Sequence, residues 1–459
     1  MVASNALPVR PGDELDLRHA GARPADARLQ RWRALGFPGR PTSHPPVPPD
    51  EVALRRQAAE RTPSALAAAT GGIHRENHAG MQLYISHQGV RQSEAAVGWA
   101  TGDTAMTSRT LLPWFCAMKP LFVLGFGLLW EAGELDPWQP VSDVVAEFTG
   151  GRKDSLTFWH LLTHTSGLSP DPTYEALWGS RDEVLAAIWR AGLPDQAAPG
   201  AHAYYAQFWA WAVLSEAIQR RSGLPYAQFL RQEVLDPLGA HDCVIEMTDA
   251  VWADESHRIG PIYDTESDDA PRLFPGAAHR WQMAAHTPGS GGVGSAGALG
   301  RIAEALLPHP PRPLLRPQTT AAIRARHRVG MWDEHWSAFL SWGLGVVADG
   351  WLFGSRCSAA TVGHVGYNTS FFCVDPVNEV VVAAIANGLC SHHTSADRDR
   401  GVTDGAYRDL GIAVAPPPPR IVAVDPPADL GEAAARARAE AQFWNPAYAN
   451  PALDPEGRT

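Results

Sequence analysis

Two sets of strand-like segments stand far apart in this chain, with a long helical stretch between them, and this order restricts the architecture more than any other feature. Met81–His87 and Ala95–Trp99 carry strand patterning, and the Gln88-Gly89 step between them suggests a hairpin or a close connection. Strand patterning returns only in Phe339–Val347, Ala359–Val362, Thr369–Val374 and Val380–Ala386. Between the two sets, Leu121–Glu131, Leu156–Thr163, Arg181–Ala191, Gln207–Arg221 and Tyr226–Val234 read as helices. Sequence-distant strands most simply join in one sheet, with the insertion forming a helical lobe against it. The expectation is therefore an α+β fold: a sheet flanked by helices plus a mostly helical lobe, with a cleft between them that suits a binding site.

The same pattern sets the expected divisions. Residues 1–59 form an extension rich in Pro, Arg and Asp, with a helical patch near Ala25–Leu35 and the start of a predicted helix over Glu51–Ala69. Residues 60–412 form the catalytic domain, with a sheet lobe from 60–112 and 339–412 and a helical lobe from 113–338. Residues 413–459 form a tail, with Pro416–Pro419 and then a helix near Leu430–Trp444.

Composition narrows the function classes. The 459 residues are 45% hydrophobic and 19% charged, enough for a sizeable core. The formal charge of −11 argues against nucleic acid or anionic lipid as the main partner. The N-terminus shows no basic segment followed by an apolar core, and no apolar run is long enough to span a membrane. A cytoplasmic location is the default expectation. Cysteines at 116, 243, 357, 373 and 390 form no C-x-x-C pair, which fits free thiols better than a disulfide framework.

Three short runs carry chemistry. In Cys116-Ala117-Met118-Lys119, residues three apart in a first helical turn share a side, so Lys119 can approach the Cys116 sulfur. A helix start and an ammonium both favour thiolate. Pro120 is harmless only in a first turn, so the helix should begin close to Cys116. In Pro199-Gly200-Ala201-His202-Ala203-Tyr204-Tyr205-Ala206-Gln207, a turn delivers a phenol and a carboxamide just before a helix. A phenol near a lysine can shuttle a proton, and an amide can hold a substrate carbonyl or the lysine. In Gly363-His364-Val365-Gly366-Tyr367-Asn368, read as entering a strand, glycine permits close backbone approach. The next N–H can then form half of an oxyanion hole, with the Cys116 N–H as the other half. Alone, each run has a plain structural reading: a buried cysteine beside a surface lysine, core aromatics, a bulged strand.

Together, in this order and spacing, the three runs resemble the serine β-lactamase and penicillin-binding-protein superfamily, with its S-x-x-K, Tyr-x-Asn and K-T-G or H-x-G signatures. The branch of class C β-lactamases, esterases and transacylases is the most similar. Leu161-Leu162-Thr163-His164-Thr165-Ser166-Gly167-Leu168, Pro199-Gly200, Pro237-Leu238-Gly239 and the segment from Phe371 to Val374-Asp375-Pro376 resemble further family segments, so the likeness covers roughly residues 60–412. It implies a β-lactamase-like fold with an antiparallel sheet. It places Cys116 at the nucleophilic serine, Lys119 at the proton-accepting lysine, Tyr205 at the tyrosine and Gln207 at the asparagine. His364 and Gly366 fill the third signature, and Tyr367 would supply the second oxyanion N–H. Three positions depart from the pattern: cysteine for serine, glutamine for asparagine, and Ala206 where serine is common. His160 and His164 are spaced like a metal pair but lack a zincin glutamate between them. His392, His393, Asp397 and Asp399 read as a solvated loop. No metal or cofactor is expected.

A thiol, with a pKa of about 8.5, needs less base help than a hydroxyl and yields a thioester instead of an ester. Thiolate leaves a tetrahedral intermediate more readily than an amine does, so an activated ester or thioester donor is expected. Thioesters react with amines in preference to water, which favours transfer. The expected function is a transacylase working through acyl-Cys116, with a small-molecule acyl donor, free or linked to CoA or a carrier protein, and an amine or similar acceptor. A hydrolase of esterase or β-lactamase type uses the same residues, and a non-catalytic binding protein on the same scaffold is a third reading. A fourth reading is that Cys116 is an engineered replacement that traps an acyl-enzyme, in which case the native protein would be a serine enzyme. Of 17 tryptophans, Trp114, Trp159, Trp209, Trp211, Trp332, Trp336 and Trp342 are candidates for a pocket wall, although most should be core.

Overall fold

A computed structural model describes residues 24–42, 45–167, 180–193, 199–266, 271–274 and 288–413. The predicted tail helix, Pro416–Pro419 and Leu168 lie outside the described residues. The main sheet has five strands: β1 (Gly80–His87), β2 (Val90–Gly98), β3 (Val362–Gly366), β4 (Ser370–Asp375) and β5 (Val380–Ala386). Their spatial order is β3-β4-β5-β1-β2, and every pairing is antiparallel. The first two strands thus close against the last three, as the sequence order required. Gln88 and Gly89 both have positive φ (52° and 70°), the backbone of a tight two-residue hairpin whose twist matches the strands.

Strand β5 is buried along its whole length, so both its faces are apolar and alternate in what they meet. Val380, Val382 and Ala384 join Ala65, Ala69, Val402 and Ala406 in one core. Val381, Ala383 and Ile385 join Leu299, Ile302 and the helical lobe in the other. The helices of the fold include α1 (Pro24–Ala34), α2 (Pro49–Arg61), α3 (Pro63–His74), α4 (Lys119–Glu131), α5 (Phe158–Leu162), α6 (Arg181–Arg190), α7 (Trp209–Ser222), α8 (Tyr226–Leu230), α9 (Ala296–Glu304) and α10 (His392–Asp409). Helices α3 and α10 pack on one face of the sheet, α9 on the other, and α4 against α7 in the helical lobe.

Several expectations need correction. The helix expected over Glu51–Ala69 is two helices, because Pro63 lacks the N–H needed to continue α2 and instead opens α3. The strand expected over Phe339–Val347 is a two-residue strand, Ala338–Phe339, followed by single bridges. Gly343 and Gly345 break the run: Gly345 has a φ of 68°, and a side chain at either position would clash with its surroundings. The Gly363–Asn368 run ends a strand instead of entering one, since β3 begins at Val362 and turns at Tyr367 and Asn368. His392–Asp399 is the start of α10, not a loop. Ser391 caps it by accepting from Thr394 N, and Asp399 is buried against Arg398 at 2.9 Å.

Residues before the main sheet are also tied to it. Trp32 and Phe37 are buried with Ala79, Trp99 and Tyr263. Trp32 Nε1 donates to Glu76 at 2.8 Å, and Arg28 and Arg40 each pair with Glu76 at 3.1 Å. No described helix is long and apolar enough to cross a membrane.

Candidate active site

Cys116 sits in a 3₁₀ turn, Phe115–Met118, that runs directly into α4. Its thiol is free and partly exposed, and it packs against the core that holds Tyr205. Pro120 falls in the first turn of α4, where its missing N–H is harmless. Lys119, the first residue of that helix, is fully buried. Its Nζ donates to Gly289 O at 3.1 Å and lies 5.2 Å from the Tyr205 ring centre and 5.4 Å from that of Trp211. A buried ammonium held by one carbonyl and two aromatic faces is well placed to exchange a proton with a neighbouring phenol or thiol. Gly289 runs so close that a Cβ there would touch Trp211 and come to 3.2 Å from Lys119 Cγ.

Tyr205 is buried inside an aromatic box. His164 lies 4.5 Å away between ring centres, His335 5.5 Å, Trp342 5.6 Å, Trp336 5.8 Å and His364 6.0 Å. The backbone around Tyr205 is fixed from two sides. Ala206 N donates to His164 Nδ1 at 3.1 Å, and Tyr205 N donates to Asp333 Oδ1 at 3.2 Å. Asp333 also accepts from His335 N and Trp336 N, and from Arg328 at 3.0 Å. Arg328 and Asp333 are both fully buried. Arg328 further donates to Thr163 O at 3.2 Å and His164 O at 3.4 Å, tying the His164 and Tyr205 segments together.

Gln207 Nε2 meets His335 Nε2 at 2.7 Å, so the longer amide at the asparagine position is engaged by a histidine. Burial pushes the His335 pKa down; the Asp333 charge opposes this, while His392 and Lys119 add to it. His164, whose Nδ1 accepts the Ala206 N–H, is likewise held neutral, by burial first and then by Arg328, Lys119, His364 and His335. His160 Nδ1 accepts from Thr157 N at 3.1 Å. The Nδ1 atoms of both histidines are thus taken up by the chain itself.

His364 donates Nδ1–H to Val365 O at 2.8 Å, while its buried Nε2 has no hydrogen-bond partner among the described residues. Burial, and then the Lys119 charge, push its pKa down to about 3. His364 is therefore a neutral ring with an open lone pair, and it does not reproduce the cation of a K-T-G lysine. Gly366 brings β3 against the nucleophile turn. A Cβ there would overlap Trp114 O and the Ser370 hydroxyl and stand 3.1 Å from Ala117 N. Ser370 Oγ donates to Trp114 O at 2.7 Å and staples the two segments. Tyr367, the next residue, has a φ of 36°.

The structure thus brings Cys116, Lys119, Tyr205, His364, Gly366 and Tyr367 together, with Gln207 at the edge through His335. Arg328, Asp333 and His335 were missed by sequence reasoning, whereas Trp336 stood among the candidate pocket tryptophans. The Asp-x-His-Trp run at 333–336 was a usable signal only once its neighbours in space were known. Gly289, whose carbonyl accepts from Lys119, is a further site residue that sequence reasoning did not assign.

The chain is similar to known proteins over most of this region. Esterase EstB from Burkholderia gladioli is 28% identical over 316 residues, covering 62% of this chain and 76% of EstB. The structure of EstCE1, a hydrolase with promiscuous acyltransferase activity, superposes with a TM-score of 0.63 at 22% identity, covering 77% of this chain and 99% of EstCE1. A mutant of simvastatin synthase (LovD) from Aspergillus terreus superposes with a TM-score of 0.61 at 16% identity, covering 78% and 98%. The beta-lactamase family model matches residues 58–407, so the chain belongs to the beta-lactamase family and has its fold.

Proposed function

We propose that this protein is an acyl-transfer enzyme that carries its acyl group as a thioester on Cys116. The observation that carries the reading is the buried Lys119 side chain, whose Nζ lies 5.2 Å from the Tyr205 ring centre and which stands three residues from a partly exposed thiol. Deprotonated Lys119 or Tyr205 takes the Cys116 proton, and the thiolate attacks the carbonyl carbon of an ester or thioester. The N–H groups of Cys116 and Tyr367 receive the developing negative oxygen. The intermediate collapses, the C–O or C–S bond to the leaving group breaks, and the leaving group takes the proton back. An incoming amine then attacks the thioester, loses a proton to the same base, and releases Cys116.

The donor is an activated ester or thioester, free or attached to CoA or a carrier protein. The amine preference of thioesters suits a biosynthetic transfer inside the cell. The likeness to EstB supports a second reading, in which water replaces the amine and the enzyme is an esterase. The likenesses to EstCE1 and LovD support transfer.

Intact-protein mass spectrometry with a panel of thioesters and activated esters tests the covalent step. The expected result is an acyl mass gain mapped to Cys116 and absent from Cys116→Ala. No gain with any donor would overturn the reading. Product analysis with and without an amine separates transfer from hydrolysis, and Cys116→Ser should keep hydrolysis while losing amine transfer.

A further inference from the structure

Eight described non-glycine residues adopt positive φ: Glu76, Gln88, Phe115, His164, Ser337, Tyr367, Asn368 and Glu379. Most are polar residues of kinds that tolerate turns. Phe115 and Tyr367 are the two bulky exceptions, with φ of 47° and 36°, a strained backbone for such side chains. Glycine would adopt either conformation without that strain. The rings themselves therefore call for an explanation. Each sits beside one proposed oxyanion donor: Phe115 precedes Cys116, and Tyr367 bears the second N–H.

The two rings touch, with centres 5.6 Å apart and planes inclined by 60°. Phe274 closes the row, 5.9 Å from Tyr367. Phe274 is buried, Phe115 is partly buried, and Tyr367 keeps 37% of its surface exposed. A carbonyl whose oxygen points between the two N–H groups must place its substituents close to the side chains beside them.

We infer that Phe115, Tyr367 and Phe274 form an acyl-binding platform that selects donors with a bulky apolar acyl group, an aromatic ring fitting best. The inference rests on the thioester reading above and names the donor class for that site. Seating a carboxylate against these apolar rings would cost its hydration, so an anionic acyl group is disfavoured.

The test is the rate of Cys116 acylation by acetyl, phenylacetyl and succinyl thioesters of N-acetylcysteamine, followed by mass spectrometry. In the unmodified protein, phenylacetyl should exceed acetyl by roughly tenfold or more, the scale at which apolar pockets discriminate, and succinyl should be slowest. Tyr367→Gly removes the ring but accepts the positive φ, and Phe274→Ala trims the platform without touching the oxyanion turn. Each should lower the phenylacetyl-to-acetyl ratio by about fivefold or more, whereas Tyr367→Phe should preserve it. A flat ratio in the unmodified protein, or an unchanged ratio in both ring-removing variants, overturns the platform while leaving the thioester chemistry intact. No acylation of the unmodified protein by any donor overturns both.

Discussion

Gly366 and Trp114 come into backbone contact across the interface between the main sheet and the nucleophile turn. The approach leaves no room for a Cβ at 366, which would overlap Trp114 O and crowd Ala117 N at 3.1 Å. Gly366→Ala should therefore shift the turn that carries Cys116. The expected outcome is a fall in Cys116 acylation of about a hundredfold or more, with a loss of about 1–3 kcal/mol in stability from overpacking. Acylation rates and urea unfolding of the same preparation check both.

Lys119 should matter to chemistry far more than to folding. Lys119→Met keeps most of the stem packed against Gly289 and Trp211 while removing the ammonium. Acylation is expected to fall by about 10²–10⁴, the usual scale for losing a general base. The melting temperature should stay close to the original, because a buried charge is exchanged for an apolar group of similar length. Unchanged acylation would remove Lys119 from the mechanism.

The Arg328–Asp333 pair makes the opposite prediction. Arg328→Met leaves a fully buried carboxylate without its cation, at a cost of about 3–5 kcal/mol in urea unfolding. Asp333→Asn keeps an oxygen to accept from Tyr205 N, His335 N and Trp336 N, so it should cost less than Asp333→Ala and retain more acylation.

Buried histidines, His78, His164 and His364 foremost, should make the protein sensitive to mild acid. Burial is the largest cause pushing His78 and His364 down to about 3 from 6.5, helped by Arg398 and Lys119 respectively. A histidine with a depressed pKa is neutral when folded and protonated when unfolded, so its contribution is present above 6.5. That contribution is lost as pH falls from 6.5 towards 3, at up to about 1.4 kcal/mol per pH unit for each ring. Unfolding free energies at pH 7 and pH 5 check the slope, and His78→Gln should reduce it, with His164 and His364 carrying most of what remains.

Most strands of the main sheet were legible from alternating or continuous apolar runs, and β5 was read to the residue, whereas the strand expected over Ala359–Val362 lies instead at Val362–Gly366. The family was legible because the Cys116–Lys119 and Tyr205–Gln207 runs have local spacing and resemble a known pattern. Phe339–Val347 misled because an apolar run says nothing about where glycines must let Trp211 and Val123 through. Arg328, Asp333 and His335 stayed hidden because each gains its role from partners distant in the sequence: Arg328 from Thr163 and His164, Asp333 from Tyr205, and His335 from Gln207. No local window contains that information.

The staple from Ser370 to Trp114 joins residues 256 positions apart. During synthesis, Cys116 and Lys119 leave the ribosome long before β3 and β4 exist. Until those strands arrive and join β1 through β5, the turn that carries Cys116 has no Gly366 backbone packed against it. On the mechanism proposed above, an emerging or prematurely ended polypeptide would lack the second amide, and capture of an acyl group would begin only when the final third of the molecule has taken its place.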